Sequence, residues 1–131
     1  MAAWCARYCR QTAMRPRAAQ PPEEPKDAQG FNQRGNRYSR NGVYDQAIRD
    51  YTRAIELDAD YAEALFNRGV SYYEIQRYEE AIADFSRAIA LNPRNDSAYS
   101  RRSLAYLLTD QLDLAQADQD KCEELRGSSP K

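Results

Sequence analysis

Amides, arginines and carboxylates are the side chains with the most chemical potential in this chain of 131 residues, because histidine is absent. Without it the commonest general base and the commonest metal ligand are both missing. The thiols are Cys5, Cys9 and Cys122. An odd number, two of them crowded near the start, is not a disulfide framework, and Cys-x3-Cys supplies only half a zinc site. They read as free thiols of a reducing compartment. Five glycines leave little material for a phosphate-cradling loop. With no nucleophile–base pair and no metal quartet, an enzyme is not expected, and no cofactor or metal is implied.

What recurs instead is arginine against aspartate. Arg34, Arg68 and Arg102 stand 34 residues apart, and so do Asp50, Asp84 and Asp118. A guanidinium can hold a carboxylate through two parallel hydrogen bonds. Two arrangements are open. Each Arg can bridge to its Asp across a pair of helices, or each Asp can pair along its own helix with Arg53, Arg87 or Lys121, three residues on.

The same step of 34 links Gly35 with Gly69, Tyr38 with Tyr72 and Tyr106, Ala47 with Ala81 and Ala115, and Leu57 with Leu91 and Leu125. Laid over one another, residues 28–61 and 62–95 are identical at twelve positions. Fixed-period self-similarity of this length signals stacked supersecondary units. Within a unit, apolar residues recur every three or four positions. In the second they are Tyr61, Leu65, Phe66, Tyr72 and Tyr73, then Tyr78, Ala81, Ile82, Phe85, Ala88, Ile89 and Leu91. That spacing predicts helices over 61–75 and 78–91. Asn41-Gly42 marks a turn, Asp60 through Glu63 resembles a capping box, and Asn92-Pro93 ends a helix. Gly35, Gly69 and Ser103, with Ala47, Ala81 and Ala115, are small residues for close helix crossings. A bulkier side chain at Ala81 would overpack one of them by roughly 1–3 kcal/mol.

Composition bounds the rest. The chain is 42% apolar with a net charge of −1, too apolar for disorder and without the basic footprint of a nucleic-acid binder. Its head is different: five basic residues stand against Glu23 and Glu24, beside Pro16, Pro21, Pro22 and Pro25. Residues 1–27 read as a basic, Pro-rich tail and linker. A solvated tail, an organelle-targeting peptide and a helix packed through Trp4 and Tyr8 all remain open. No apolar run approaches the ~18 residues of a membrane helix. The expected location is the cytoplasm, or an organelle if the Arg-rich start is a targeting signal. The division is tail 1–27, units 28–61, 62–95 and 96–127, and a tail 128–131.

These residues resemble the tetratricopeptide repeat. The family pattern finds Phe31, Gly35, Tyr38, Ala47, Tyr51 and Ala54 in unit one, and Leu65, Gly69, Tyr72, Ala81, Phe85, Ala88 and Pro93 in unit two. Unit three keeps Tyr99, Tyr106 and Ala115, but places Ser103, Gln119 and Cys122 at the other positions. The resemblance implies an all-α, right-handed α-solenoid of three helix-turn-helix units. Gln116, Gln119 and Glu123 replace apolar residues of the earlier units, as a terminal cap requires, so the array is expected to end at the 112–125 helix.

The resemblance also implies a concave groove lined by the first helix of each unit. Unit one gives Gln29, Asn32, Gln33, Asn36 and Arg40. Unit two gives Glu63, Phe66, Asn67, Val70, Tyr73 and Glu74, and unit three gives Ser97, Ser100, Arg101, Leu104 and Leu108. Amides can bond both backbone groups of an extended peptide. Co-chaperones of the family hold acidic C-termini with a clamp of Lys, Asn, Asn, Lys and Arg. Asn36, Asn67 and Arg101 match it, and Asn32 and Ser97 stand where its lysines should be. The expected function is an adaptor for a protein or peptide partner. The alternatives are a co-chaperone-like clamp and a self-associating scaffold in which the edge of unit one exposes Phe31 and Tyr38 unless the N-terminal tail covers it. Neither a nucleic-acid nor a membrane partner is expected, and the expected state is a monomer or weak homo-oligomer.

Overall fold

The computed structural model describes residues 23–127. The stretch 1–22, with Cys5, Cys9, Trp4 and Tyr8, and residues 128–131 lie outside them. Six helices follow in order: α1 Ala28–Arg40, α2 Tyr44–Leu57, α3 Ala62–Glu74, α4 Tyr78–Leu91, α5 Asp96–Leu108 and α6 Leu112–Gly127. Among the described residues there is no strand. The odd-numbered helices begin 34 residues apart, and so do the even-numbered ones. Three helix hairpins therefore stack as one helical-repeat solenoid.

The helix starts use different devices. Asp27 is extended and its Oδ1 accepts from the Gly30 N–H at 2.8 Å, capping α1. Asn95 caps α5 by accepting from the Ala98 N–H at 3.1 Å. The expected capping box before α3 is absent. Tyr61 is the N-cap and makes no side-chain cap bond. Asp60 instead donates its N–H to Asp58 Oδ1, and the Glu63 carboxylate is engaged by Asn32 of the neighbouring unit.

Each hairpin turns on one left-handed residue. Gly42 has φ 77°, and its counterparts 34 and 68 residues on are Gln76 at 67° and Asp110 at 63°. The next amide then reaches back to the helix: Val43 to Tyr38, Arg77 to Tyr72 and Gln111 to Tyr106, at 2.8–2.9 Å. Only the first of the three sites has the residue type that adopts this conformation without steric cost.

The two helices of a hairpin cross where a ring lies against bare backbone. A Cβ built on Gly35 would meet Tyr51 Cε1 at 2.7 Å, and one on Gly69 would meet Phe85 Cε1 at 2.8 Å. Ala47, Ala81 and Ala115 are buried at the same crossings. Unit three has no ring to receive. Ser103 there donates its hydroxyl to the Ala115 carbonyl at 2.8 Å. A cavity of about 220 Å³ opens beside it, lined in part by Gln119, Cys122 and Glu123. Cys122 is a buried free thiol.

Arginine ladders join the units. Arg34 donates Nε and Nη2 to the two Asp50 oxygens at 2.8 Å, and Arg68 and Arg102 hold Asp84 and Asp118 likewise at 2.7–2.8 Å. The third nitrogen reaches the preceding unit. Arg68 Nη1 donates to Thr52 Oγ1 at 3.1 Å, and Arg102 Nη1 to Ser86 Oγ at 2.9 Å. Arg53 and Lys121 pair with Glu56 and Glu124 instead, and Arg87 donates to the Ala59 carbonyl. All three aspartates are buried. The carboxylate hydrogen bond lifts each guanidinium above its usual pKa, outweighing desolvation.

The apolar edges differ from expectation. Phe31 is 4% exposed, packed with Ala54, Ile55 and Leu65 beneath the guanidinium groups of Arg34 and Arg53. Unit one therefore does not expose it, because its ring turns toward unit two. Gln116, Gln119 and Glu123 are exposed on α6, yet Leu104, Leu107, Leu108, Leu112 and Leu114 are exposed too. The apolar edge belongs to unit three.

Two predictions follow from this packing. Gln76→Gly and Asp110→Gly relieve a left-handed backbone and each raise stability by about 0.5–1 kcal/mol in urea unfolding. In a double-mutant cycle, Arg68→Ala and Asp84→Ala show a coupling of roughly 2–3 kcal/mol, since either change alone strands a buried partner. Additive effects would assign the cross-helix bridge no energetic role.

Candidate functional site: the inner helix face

The first helices approach one another and the second helices do not. α1 meets α3 and α3 meets α5, whereas no comparable contact joins α2, α4 and α6. A stack closer on one side curves toward that side, so α1, α3 and α5 line the inner face.

Its floor is a chain of amides. Tyr51, which crosses α1 at Gly35, donates its hydroxyl to Asn36 Oδ1 at 2.7 Å. Asn67 Nδ2 bridges Asn36 Oδ1 at 3.1 Å and Asn32 Oδ1 at 3.2 Å. Asn32 Nδ2 in turn donates to Glu63 Oε1 at 3.1 Å and to the Tyr61 hydroxyl at 3.4 Å. A carboxylate only accepts, so Glu63 fixes which end of the Asn32 amide it meets and leaves Oδ1 for Asn67. Asn32 is only 2% exposed. It is a buried polar link between α1 and α3 rather than an open wall.

The other groove residues fall into two groups. Phe66 is half-buried, 5.7 Å from Phe85 between ring centroids, and it packs against the cores on both sides of α3. Tyr73 is half-buried edge-on to Tyr78 at 5.5 Å, and Val70 is half-buried. Arg40 and Leu104 are exposed, and Arg101 is half-buried. Ser97, Ser100, Arg101, Leu104 and Arg126 line an open cavity of about 400 Å³. Arg126 is tied to Asp96, whose carboxyl it holds below the usual range. So Asn32, Asn36 and Asn67 come together, while Arg101 and Leu104 lie in a separate cavity on unit three.

Tyr61, Tyr51 and Glu63 complete the amide chain, yet they do not stand out as a group in the sequence. One signal does carry it. Fifteen residues separate each crossing residue from a groove position: polar Tyr51 goes with Asn36 and apolar Phe85 with Val70, whereas Gln119 with Leu104 breaks the match. Among the described residues no cluster has the composition of a metal site, and no helix is long and apolar enough to cross a membrane.

Comparison with known proteins accounts for the architecture. A family model described as tetratricopeptide repeat matches residues 32–96 and again 71–122. The chain belongs to the tetratricopeptide repeat family. The second TPR of Spaghetti (RPAP3), solved bound to HSP90 peptide SRMEEVD, is similar at 35% identity and a TM-score of 0.74, covering 76% of this chain and 93% of that one. The second TPR domain of human RPAP3, solved in complex with HSP70 peptide SGPTIEEVD, is similar at 35% identity and a TM-score of 0.72, covering 77% and 83%. MamA has a TM-score of 0.77 at 26% identity, covering 81% of this chain and 62% of that one. The comparison with curated proteins finds no match.

Burial raises the Tyr51 phenol to about 12, and burial with the nearby Glu63 charge raises Tyr61. Both hydroxyls therefore keep their protons at neutral pH. An unfolded tyrosine ionises near pH 10, so this contribution is complete below pH 10 and is lost as pH rises toward 12. Urea midpoints measured across pH 9–12 are expected to fall over that window in the wild type and to fall less steeply in Tyr51→Phe.

Proposed function

We propose that the inner face of α1, α3 and α5 binds an extended segment of a protein partner, making the chain a non-catalytic adaptor. The observation that supports this best is the amide chain through Asn32, Asn36 and Asn67 on α1 and α3, with Val70 and Tyr73 half-buried further along α3. Amides can satisfy the donors and acceptors of an extended backbone, and the apolar residues can take alternate side chains. Similar domains solved with the peptides SRMEEVD and SGPTIEEVD add support.

A co-chaperone-like clamp is the second reading, favoured by those two neighbours and by Asn36, Asn67 and Arg101. Against it, Asn32 is buried and Ser97 is neutral, so two of three cations are missing. The clamp reading would place this adaptor beside chaperones. The broader reading leaves the partner to be a neutral or mixed peptide. A cytoplasmic setting is proposed with either.

Immobilised protein exposed to a library of end-blocked random heptapeptides tests the groove. The Asn67→Ala, Arg101→Ala variant is expected to retain about tenfold less peptide than the wild type. Arg49→Ala, on the opposite helix layer, is expected to retain the same amount. Equal retention by all three would move recognition off the inner face. For the clamp, Ser97→Lys is expected to tighten SRMEEVD binding about fivefold, by adding one charge-assisted bond. If the wild type already binds that peptide as tightly, the clamp is working without its lysines.

A further inference from the structure

The inner face carries four charges outside any ion pair among the described residues: Arg40 and Glu74 near the ends of α1 and α3, Glu63 near the start of α3, and Arg101 on α5. On the side of units one and two stands Glu63. One of its oxygens accepts from Asn32, and among the described residues neither oxygen meets a cation within ion-pairing distance. On the side of unit three stands Arg101, likewise without a carboxylate among the described residues.

Both N–H groups that Asn32 and Asn67 can offer are turned onto neighbours within the chain: Asn67 onto Asn36 and Asn32, Asn32 onto Glu63 and Tyr61. Tyr51 spends its single proton on Asn36. The floor around Glu63 has thus consumed most of its donors internally. What it keeps is acceptor capacity at the second Glu63 oxygen and the Asn67 carbonyl, with the Asn36 Nδ2 and the Tyr61 hydroxyl as its remaining donors. The floor residues themselves include no cation, since its tyrosines can only be neutral or anionic. Arg40, the cation of α1 on this face, is exposed, lies one turn from Asn36 and two from Asn32, and acts on Tyr51 without pairing with Glu63.

Such a floor repels a carboxylate and attracts a cationic donor. We infer that the inner face selects an internal segment of its partner carrying a lysine or arginine opposite Glu63, with an acidic residue toward Arg101, and disfavours a chain-terminal carboxylate at the amide floor. This rests on the peptide-binding reading above and names the ligand chemistry of the same site. The Asn32–Glu63 bond is the device. It buries the amide that would face a carboxylate and sets an anion beside it.

The test uses the full chain, immobilised, with end-blocked random heptapeptides, comparing wild type with Glu63→Gln. Glutamine keeps a carbonyl for Asn32 and loses only the charge, and Glu63 is exposed, so folding is preserved. The wild type is expected to enrich Lys or Arg at one position roughly fivefold over Glu63→Gln. In a second arm, the free-acid peptide SRMEEVD is expected to bind Glu63→Gln about fivefold more tightly than wild type. Independently of any variant, raising salt from about 50 to 300 mM is expected to flatten the wild-type preference for basic residues. Equal enrichment in both proteins, or tighter wild-type binding of SRMEEVD, would overturn the selection by Glu63 while leaving the groove in place. Retention of no peptide by either protein would overturn the groove reading itself, and this inference with it.

Discussion

A ring pressed against a backbone without a side chain sets the geometry of each hairpin. Tyr51 over Gly35 and Phe85 over Gly69 leave no room for a Cβ. Helix axes that approach so closely bring the buried alanines at 47 and 81 into the same crossing. They also bring Arg and Asp side chains sixteen residues apart within hydrogen-bonding distance. The ladder would not form at a wider crossing, because a bidentate guanidinium–carboxylate pair tolerates little displacement. Its third nitrogen, reaching Thr52 or Ser86, then passes the spacing of one hairpin on to the next. Stability in such a stack is a sum of neighbour terms, so a fault in one crossing weakens its neighbours first.

The same crossing reaches the inner face. Tyr51 presents its ring edge to Gly35 and its hydroxyl to Asn36, so one side chain both spaces a hairpin and orients a groove amide. In unit two the ring is Phe85, without a hydroxyl, and Val70 holds the position of Asn36, so the polar chain stops there. The amide floor is therefore local to the junction of units one and two. Unit three departs in the other direction. Gln119 gives Ser103 no ring to receive, a cavity opens with Leu104 and Leu107 in its lining, and five leucines of the unit stay exposed. On the inner face the amide floor gives way at unit three to Ser97, Ser100, Arg101 and Leu104.

Much of the fold was legible before any coordinates. A period of 34 with apolar residues three and four apart leaves little choice but helix hairpins, since no single unit can bury its own face. The close-approach residues were legible because glycine inside a helix carries a cost that packing must offset. The turn positions were visible only once, at Gly42, because Gln76 and Asp110 adopt the same backbone without the residue type that announces it. The capping box at Asp60–Glu63 misled for a related reason. Its glutamate has a local partner available in sequence, the Asp60 N–H, and another, Asn32, available only in space.

Sequence alone determined the units, their register and which residues share a helix face, because these follow from periodicity along one chain. Tertiary structure decided what those faces do. It buried Asn32, turned Phe31 inward, drew Phe66 into two cores and left the exposed leucines on unit three. Each of these outcomes depends on what lies on the neighbouring hairpin, about thirty residues away. Burial and hydrogen-bond partnership are properties of that contact, and no pattern confined to a single helix encodes them.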